Sequence, residues 1–226
     1  MDEVDRMRGL RRATGGVRPV RRSLLLVLTV LAIAGCGGGR GSSPADDRSV
    51  MEPTGRPSPP IRPLPDGPRD ARTVTGTGFS LRAGSQFQQQ DRTSSNGEPM
   101  LVLEHPSAVP EVPARVAVLR EPEPRADVVE QSYALEVAKR SLDAATDITR
   151  SPLTWPGARR SVLVQWTQPR PTSGGDSVLV RYWQLNAQLE GGLILAVVGY
   201  APRAEFDTSG VPAVVQSLRL GGRDRI

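Results

Sequence analysis

Hydrophobic and polar residues alternate along much of the chain between residues 73 and 221, as they do in half-buried β-strands. The alternation predicts strands over 74–82, 100–104, 114–120, 160–167 and 176–189. Residues 193–200 are almost all apolar, which predicts a central strand covered on both faces. Glycine-rich turns at 173–176 and 191–192 separate the last three strands, so these strands are expected to form hairpins.

The predicted strands have distinct faces. Val162, Val164 and Trp166 share one side of their strand. In the following strand, the alternation separates Val178, Val180 and Tyr182 from Leu179, Trp183 and Leu185. Arg181 falls on the second of these faces. The alternation in this strand is therefore imperfect.

One segment changes from alternation to helical spacing. Four apolar residues recur along residues 127–142 at that spacing: Val128, Leu135, Ala138 and Leu142. Asp127 and Glu130 have the spacing of a capping box at the start of this helix. Lys139 and Arg140 lie in its last turns, where positive charge favours the helix dipole.

A second, shorter helix is predicted after Pro202, over 211–218, with Val214, Val215 and Leu218 packed on the sheet. The order of strands and helices predicts an α+β fold. In that fold an antiparallel β-sheet has one long helix and a short C-terminal helix packed against it. The globular domain is expected to span 73–221, followed by a tail over 222–226.

Tryptophan supplies the largest candidate core and contact residues. Trp166 and Trp183 lie in predicted strands and are expected in the core. Trp155 lies in a predicted loop with prolines at 152 and 156. That loop either presents Trp155 to a protein partner, as exposed aromatic anchors do, or caps the core, and both interpretations stay open.

The first 35 residues have the organisation of an export signal. Seven arginines precede an apolar run over 24–34, which is shorter than the about twenty residues that a membrane span needs. Ile33-Ala34-Gly35-Cys36 then has the pattern of a bacterial lipobox. We therefore expect cleavage between Gly35 and Cys36, and a diacylglyceryl group on the sulfur of Cys36. Two acyl chains give stable membrane binding, which predicts a protein anchored by lipid to the outer face of the cell membrane.

Two details of export stay open. The basic n-region favours the general secretion route, although Arg21-Arg22 also resembles a twin-arginine signal. Translation can begin at Met1 or at Met7. Cys36 is the only cysteine, so an internal disulfide in the domain is excluded.

A linker is predicted between Cys36 and residue 72. It is rich in glycine and proline and poor in apolar residues, a composition typical of disorder. As a flexible coil it would span about 30–35 Å on average. It is therefore expected to hold the domain away from the membrane.

The formal net charge of +5 belongs mostly to the signal segment. Residues 1–35 hold seven basic and three acidic residues, and the remaining chain holds 22 and 21. That balance gives no support for a nucleic-acid partner. Lys139 is the only lysine among many arginines, a bias that suggests a GC-rich coding sequence and an actinobacterial cell envelope.

Three features together resemble the PsbP-like, Mog-type α/β sandwich. They are Gly78-Phe79-Ser80-Leu81-Arg82, the single long helix, and Gly199-Tyr200-Ala201-Pro202 followed by Val214 to Leu218. The chain departs from that family at Ala83-Gly84, where a Pro-x-Gly-Trp-like turn is expected. The resemblance implies an actinobacterial lipoprotein with a binding or accessory role and no shared catalytic centre.

Candidate catalytic residues are sparse. His105 is the only histidine, and it stands beside Pro106 in a predicted loop without a nucleophile motif. A metal site needs several ligands, and the sequence holds no Cys/His cluster. Glu121, Glu123 and Asp143 are scattered carboxylates. We therefore expect no enzyme activity, no metal and no cofactor.

These observations predict a membrane-anchored envelope lipoprotein that acts as a non-catalytic binding or accessory module for another envelope protein. The alternative is a carrier of lipid or of another small ligand, bound between the apolar sheet and its helix. A hydrolase that uses His105 is the third hypothesis. The expected partners are the membrane lipid through Cys36 and either an envelope protein or a lipid ligand.

Overall fold

The computed structural model describes residues 44–68, 70–94, 97–142 and 144–221. The predicted signal segment, the cleavage site at Gly35 and Cys36, Asp143 and the tail over 222–226 lie outside the described residues.

The described helices are α1 (Pro44–Met51), α2 (Val128–Leu142) and α3 (Val211–Gln216). The described strands are β1 (Arg72–Gly76), β2 (Phe79–Ala83), β3 (Gln88–Thr93), β4 (Pro99–His105), β5 (Ala114–Glu121), β6 (Thr146–Leu153), β7 (Arg160–Pro171), β8 (Ser177–Gln188), β9 (Ile194–Pro202) and β10 (Arg219–Leu220).

Seven strands form one antiparallel sheet in the order β3-β4-β5-β9-β8-β7-β6. A small second sheet has the order β1-β2-β10. Helix α2 packs on one face of the large sheet, over β6, β7 and β8, whereas α3 packs on β2, β5 and β9. A separate hydrophobic cluster lies on each face of the large sheet. The fold is therefore α+β, as the order of elements predicts.

The grouping of side chains by alternation within β7 and within β8 is confirmed. Val162, Val164 and Trp166 belong to the cluster beneath α2, whereas Trp183 and Leu185 belong to the opposite cluster. Trp166 stacks on Tyr182 of β8 with ring centroids 4.8 Å apart, and Tyr182 contacts Tyr200 of β9 at 5.2 Å. Neighbouring strands are joined here through aromatic pairs, which add to the stability that burial provides.

The first predicted strand is wrong in one respect, because residues 74–82 are divided between two paired strands. Gly78 has a φ of 80° in the turn between β1 and β2, a conformation that glycine adopts without strain. Strands β3 and β6 were not predicted. Strand β3 is polar and largely exposed at the edge of the sheet, so burial imposes no alternation on its sequence.

The predicted position of residues 193–200 at the centre of the sheet is confirmed, because β9 is the fourth of the seven strands. Its side toward α3 is fully packed. A Cβ atom at Gly199 would lie 2.6 Å from Cγ1 of Val211 and 2.8 Å from Cγ2 of Val215. Helix α3 therefore packs directly on the backbone of β9.

The capping box predicted for α2 is present. Oδ1 of Asp127 accepts hydrogen bonds from the backbone amides of Val129 and Glu130, at 2.9 and 3.0 Å. In return, Oε2 of Glu130 accepts one from the amide of Asp127 at 3.1 Å. Three amides at the start of the helix are thereby bonded to carboxylates.

Replacement of this cap should weaken the domain measurably. We expect Asp127→Ala to lower the free energy of unfolding by about 1 kcal/mol, because two amides lose their acceptor. Urea denaturation followed by circular dichroism measures the change. Asp127→Asn is the matched control, since it keeps a capping oxygen and should retain most of the stability. Equal midpoints for wild type and Asp127→Ala would show that the cap contributes nothing.

Residues 44–68, here called the strap, differ from the disordered linker predicted for this region. The strap crosses the free edge of β6, where the amide of Gly55 donates to the carbonyl of Arg150 at 2.8 Å. A Cβ atom at Gly55 would lie 2.5 Å from that carbonyl oxygen, so the close approach requires glycine. Farther along, Ser58 exchanges two hydrogen bonds with the side chain of Gln165.

The last part of the strap reaches α3 on the other side of the sheet. Ile61 is buried in the cluster on that side, and the amide of Leu64 donates to the carbonyl of Gln216 at 2.7 Å. The composition of the strap correctly indicates that it has no core of its own. It is ordered because its few apolar residues and its amides find partners on the domain.

Candidate functional site

Trp155, the candidate partner contact, is buried. It lies in the loop between β6 and β7, and only 2% of its surface is exposed. Its indole Nε1 donates to the carbonyl oxygen of Leu218 at 3.1 Å. Trp155 therefore caps the cluster that also contains Trp183, which was the second of the two interpretations drawn from the sequence.

His105 does not lie in a loop, as the sequence suggested, but is the last residue of β4 and pairs with Ala114 of β5. Its ring meets the ring of Phe87 edge-on, with centroids 5.2 Å apart. Within the described ranges, no three His, Cys, Asp or Glu side chains are placed to hold a metal ion. Glu121 accepts a hydrogen bond from Nε2 of Gln131 at 2.7 Å, which connects β5 to α2.

One exposed carboxyl group has a shifted pKa. The hydroxyl of Ser173 donates to Oε1 of Glu111 at 2.6 Å, and this hydrogen bond lowers the pKa of Glu111 below its ordinary value. A lowered pKa keeps the carboxylate ionised at neutral pH. A carboxyl group that acts as a general acid near neutral pH needs a raised pKa, so the lowered pKa of Glu111 does not suit that role.

The interface between α2 and the sheet is closely packed. Val128 of α2 and Val162, Val164 and Val180 of the sheet have no surface accessible to water. A ligand cavity between these layers would leave accessible surface on such residues. The packed residues between α2 and the sheet therefore leave no room for the pocket that the ligand-carrier hypothesis requires there.

The same face of the sheet is only partly covered beyond α2. Five apolar residues of β4, β5 and β9, here called the open face, retain intermediate exposure: Met100, Ala117, Leu119, Ala196 and Val198. Pairing places Leu119 opposite Ala196, and Ala117 opposite Val198. Their neighbours along the strands, Val118 and Val197, belong to the cluster on the other side of the sheet.

Polar side chains lie between the open face and α2. Gln184 of β8 pairs with Val198, and Asn186 pairs with Ala196. The amide of Gln184 donates to Oδ1 of Asn186 at 2.9 Å. Asn186 is buried, and among the described residues its Nδ2 has no hydrogen-bond partner. A buried donor without a hydrogen bond costs free energy. A hydrogen-bond acceptor on a bound partner would remove that cost.

At the open face, the sequence predicted burial where the structure has partial exposure. The apolar run over 193–200 predicted a strand covered on both faces, and Leu195 and Val197 are indeed fully buried. On the α2 side, Ala196 and Val198 are only partly covered because α2 lies over β6, β7 and β8. An apolar residue in a central strand that is not buried by its own chain is a candidate contact residue.

None of the described helices combines the length and the apolar composition that crossing a bilayer requires.

Comparison with known proteins gives similarity in structure only. No protein-family model matches the chain, and no curated protein matches it. A crystal structure from Bacteroides thetaiotaomicron VPI-5482 is similar over 68% of this chain, at 7% identity and a TM-score of 0.43. The chain spans only half the length of that protein.

Two further solved structures are similar to most of the chain. Cyanobacterial PsbP (CyanoP) from Synechocystis sp. PCC 6803 shares 11% identity over 66% of this chain and 91% of its own, with a TM-score of 0.46. LpqN of Mycobacterium tuberculosis, which is involved in cell envelope biogenesis, shares 13% identity over 81% of this chain and 100% of its own, with a TM-score of 0.43. These similarities assign no role to any residue of this chain.

Proposed function

We propose that this protein is a membrane-anchored, non-catalytic binding module of the cell envelope, and that it contacts another envelope protein through the open face. The anchor is the diacylglyceryl group expected on Cys36, the last residue of the lipobox. The observation that supports the binding role is the group of partly exposed apolar side chains on β4, β5 and β9.

The composition of the open face suits a protein surface. Its side chains are small or medium-sized and stand on paired strands, around Val102 of β4, which pairs with Ala117 and is buried. Gln184 and Asn186 supply amide groups at its border. Protein interfaces commonly combine an apolar centre with a polar rim in this way.

Native mass spectrometry of the full-length, lipid-modified protein tests this function. The protein is incubated with a detergent extract of the envelope of the producing cell. We expect a retained protein mass for the wild type and at least a tenfold reduction for Val198→Arg, because a long cation replaces an apolar contact. Leu179→Arg is the matched control, since Leu179 is 46% exposed in β8 and its side chain faces away from the open face.

The outcomes separate the two functions considered. If folded Val198→Arg and the wild type retain the same protein, the open face is not the contact surface. If the wild type retains only a small molecule, the protein is a ligand carrier. Circular dichroism of each variant confirms that the compared chains are folded.

A further inference from the structure

We propose that the protein rests on the lipid bilayer through a groove between the strap, α2 and β6. This inference depends on the proposed lipid anchor at Cys36. The groove encloses about 460 Å³ and is lined by Val50, Tyr133, Val137, Ile148 and neighbouring residues of the strap. The groove suits the interfacial region of a bilayer, where apolar side chains contact acyl chains and cationic side chains contact lipid phosphates.

Two of the four large hydrophobic residues that are exposed in the described part of the chain line this groove. The large hydrophobic residues that are exposed in the described part of the chain are Val50 at 67%, Leu64 at 40%, Val137 at 42% and Leu179 at 46%. Val50 and Val137 both line the groove, whereas Leu64 and Leu179 do not. Val50 and Val137, from distant parts of the sequence, therefore supply the exposed apolar part of one groove, here called the apolar patch.

The position of the strap limits how far this patch can lie from the anchor. Only residues 37–43 separate Cys36 from Pro44, where α1 begins. A chain of that length spans at most about 29 Å. A free linker over 36–72, as predicted from composition, would reach about 130 Å when fully extended. Because the strap is bonded to the domain, the anchor lies within about 29 Å of Pro44, the first residue of the helix that carries Val50.

An exposed arginine borders the apolar patch. Arg140 lines the groove, its side chain is about 60% exposed, and its ion-pair partner is Glu136, which lines the groove as well. Exposed pairs of this kind are weak and can exchange with lipid phosphates. Long cationic side chains can bury their carbon stems while the charge reaches the headgroup region. Glu52 also lines the groove but is paired with Arg160.

The groove is formed before any membrane contact, because the buried side chain of Arg150 holds its walls together. Nη2 of Arg150 donates to the carbonyl of Met51 in α1 at 2.5 Å and to the carbonyl of Val129 in α2 at 3.1 Å. Its guanidinium also lies over the ring of Tyr133, 5.4 Å from the centroid. The membrane would therefore meet a fixed surface.

Site-specific fluorescence tests the proposed orientation. The sulfur of Cys36 is consumed when it is lipidated, so an introduced cysteine is the only free thiol. Val50→Cys and Val137→Cys are labelled with an environment-sensitive dye in the full, lipid-modified protein. Leu64→Cys and Leu179→Cys are the controls, since their exposures of 40% and 46% match the 42% of Val137, whereas Val50 is more exposed at 67%. All four are reconstituted into phosphatidylcholine–phosphatidylglycerol vesicles with or without brominated acyl chains.

We expect bromine quenching at positions 50 and 137 to be at least threefold stronger than at positions 64 and 179. Equal quenching at all four positions would overturn the inference, as would strongest quenching at either control position. A label at Val198→Cys gives an additional test. Quenching confined to that label would assign the bilayer to the open face and would overturn this inference and the protein-contact proposal together.

Flotation and intact mass separate failure of the inference from failure of the proposed function. A protein that floats with vesicles and carries the diacylglyceryl mass, but has no quenching at positions 50 and 137, retains the anchor and loses this orientation. A protein that neither floats nor carries the added mass contradicts the anchor, and the inference fails with it.

Discussion

Arg150→Met should lower the free energy of unfolding by about 3–5 kcal/mol, as expected when one partner of a buried ionic network is removed. The side chain of Arg150 is only 5% exposed. Its guanidinium bonds to Oγ of Ser132 and to the carbonyls of Met51 and Val129, and it lies 3.4 Å from Oε2 of Glu136. Methionine fills a similar volume but supplies none of these hydrogen bonds. Urea denaturation of the two proteins measures the difference.

The same substitution should release the strap. The amide of Gly55 is bonded to the carbonyl of Arg150, and Met51 is bonded to the side chain. Hydrogen exchange in residues 50–57 should therefore become faster in Arg150→Met at denaturant concentrations where the domain is folded. Arg150→Lys is the control, since it retains the charge without the planar set of donors and should be intermediate. Wild-type stability together with unchanged exchange would show that Arg150 does not hold the strap.

Trp155→Ala should have a comparable effect on stability and little direct effect on partner binding. Truncation of a fully buried tryptophan commonly costs about 3–5 kcal/mol. Trp155 contacts the cluster that contains Trp183 and Phe206, and its indole is bonded to Leu218. Trp155→Phe preserves much of the packing but leaves the carbonyl of Leu218 without this donor, so we expect a loss of about 1–2 kcal/mol.

Stability and binding distinguish the two interpretations of this loop. Denaturation followed by far-ultraviolet circular dichroism should show the order wild type, Trp155→Phe, Trp155→Ala. Any loss of partner retention should match the unfolded fraction. A Trp155→Ala protein with wild-type stability and lost partner binding would instead place Trp155 in the interface, contrary to its burial.

The two proposed surfaces lie on different flanks of α2. The groove toward the membrane uses β6 and the strap, whereas the open face uses β4, β5 and β9. A domain held by its β6 side can therefore contact lipid while the open face is accessible to a protein. The partner experiment changes Val198, whereas the membrane experiment labels Val50 and Val137 and uses Val198→Cys as an additional test.

The sequence alone determined the features that depend on neighbouring residues. Asp127 and Glu130 are three positions apart, so their capping bonds follow from local geometry. Alternation placed Val180 and Trp183 on opposite sides of β8, because successive strand residues point to opposite faces. The same short-range patterns determined the α+β class and the central place of β9.

Only the tertiary structure decided which apolar residues are covered and which polar segments are ordered. Trp155 is buried because its loop packs on the cluster that contains Trp183, and Leu218, distant in sequence, accepts the hydrogen bond of its indole. Gly55 and Ile61 are held by β6 and by the core beyond it, whereas Val198 is left partly open because α2 lies over other strands. These outcomes depend on contacts between residues far apart in the chain, and local periodicity carries no information about such contacts.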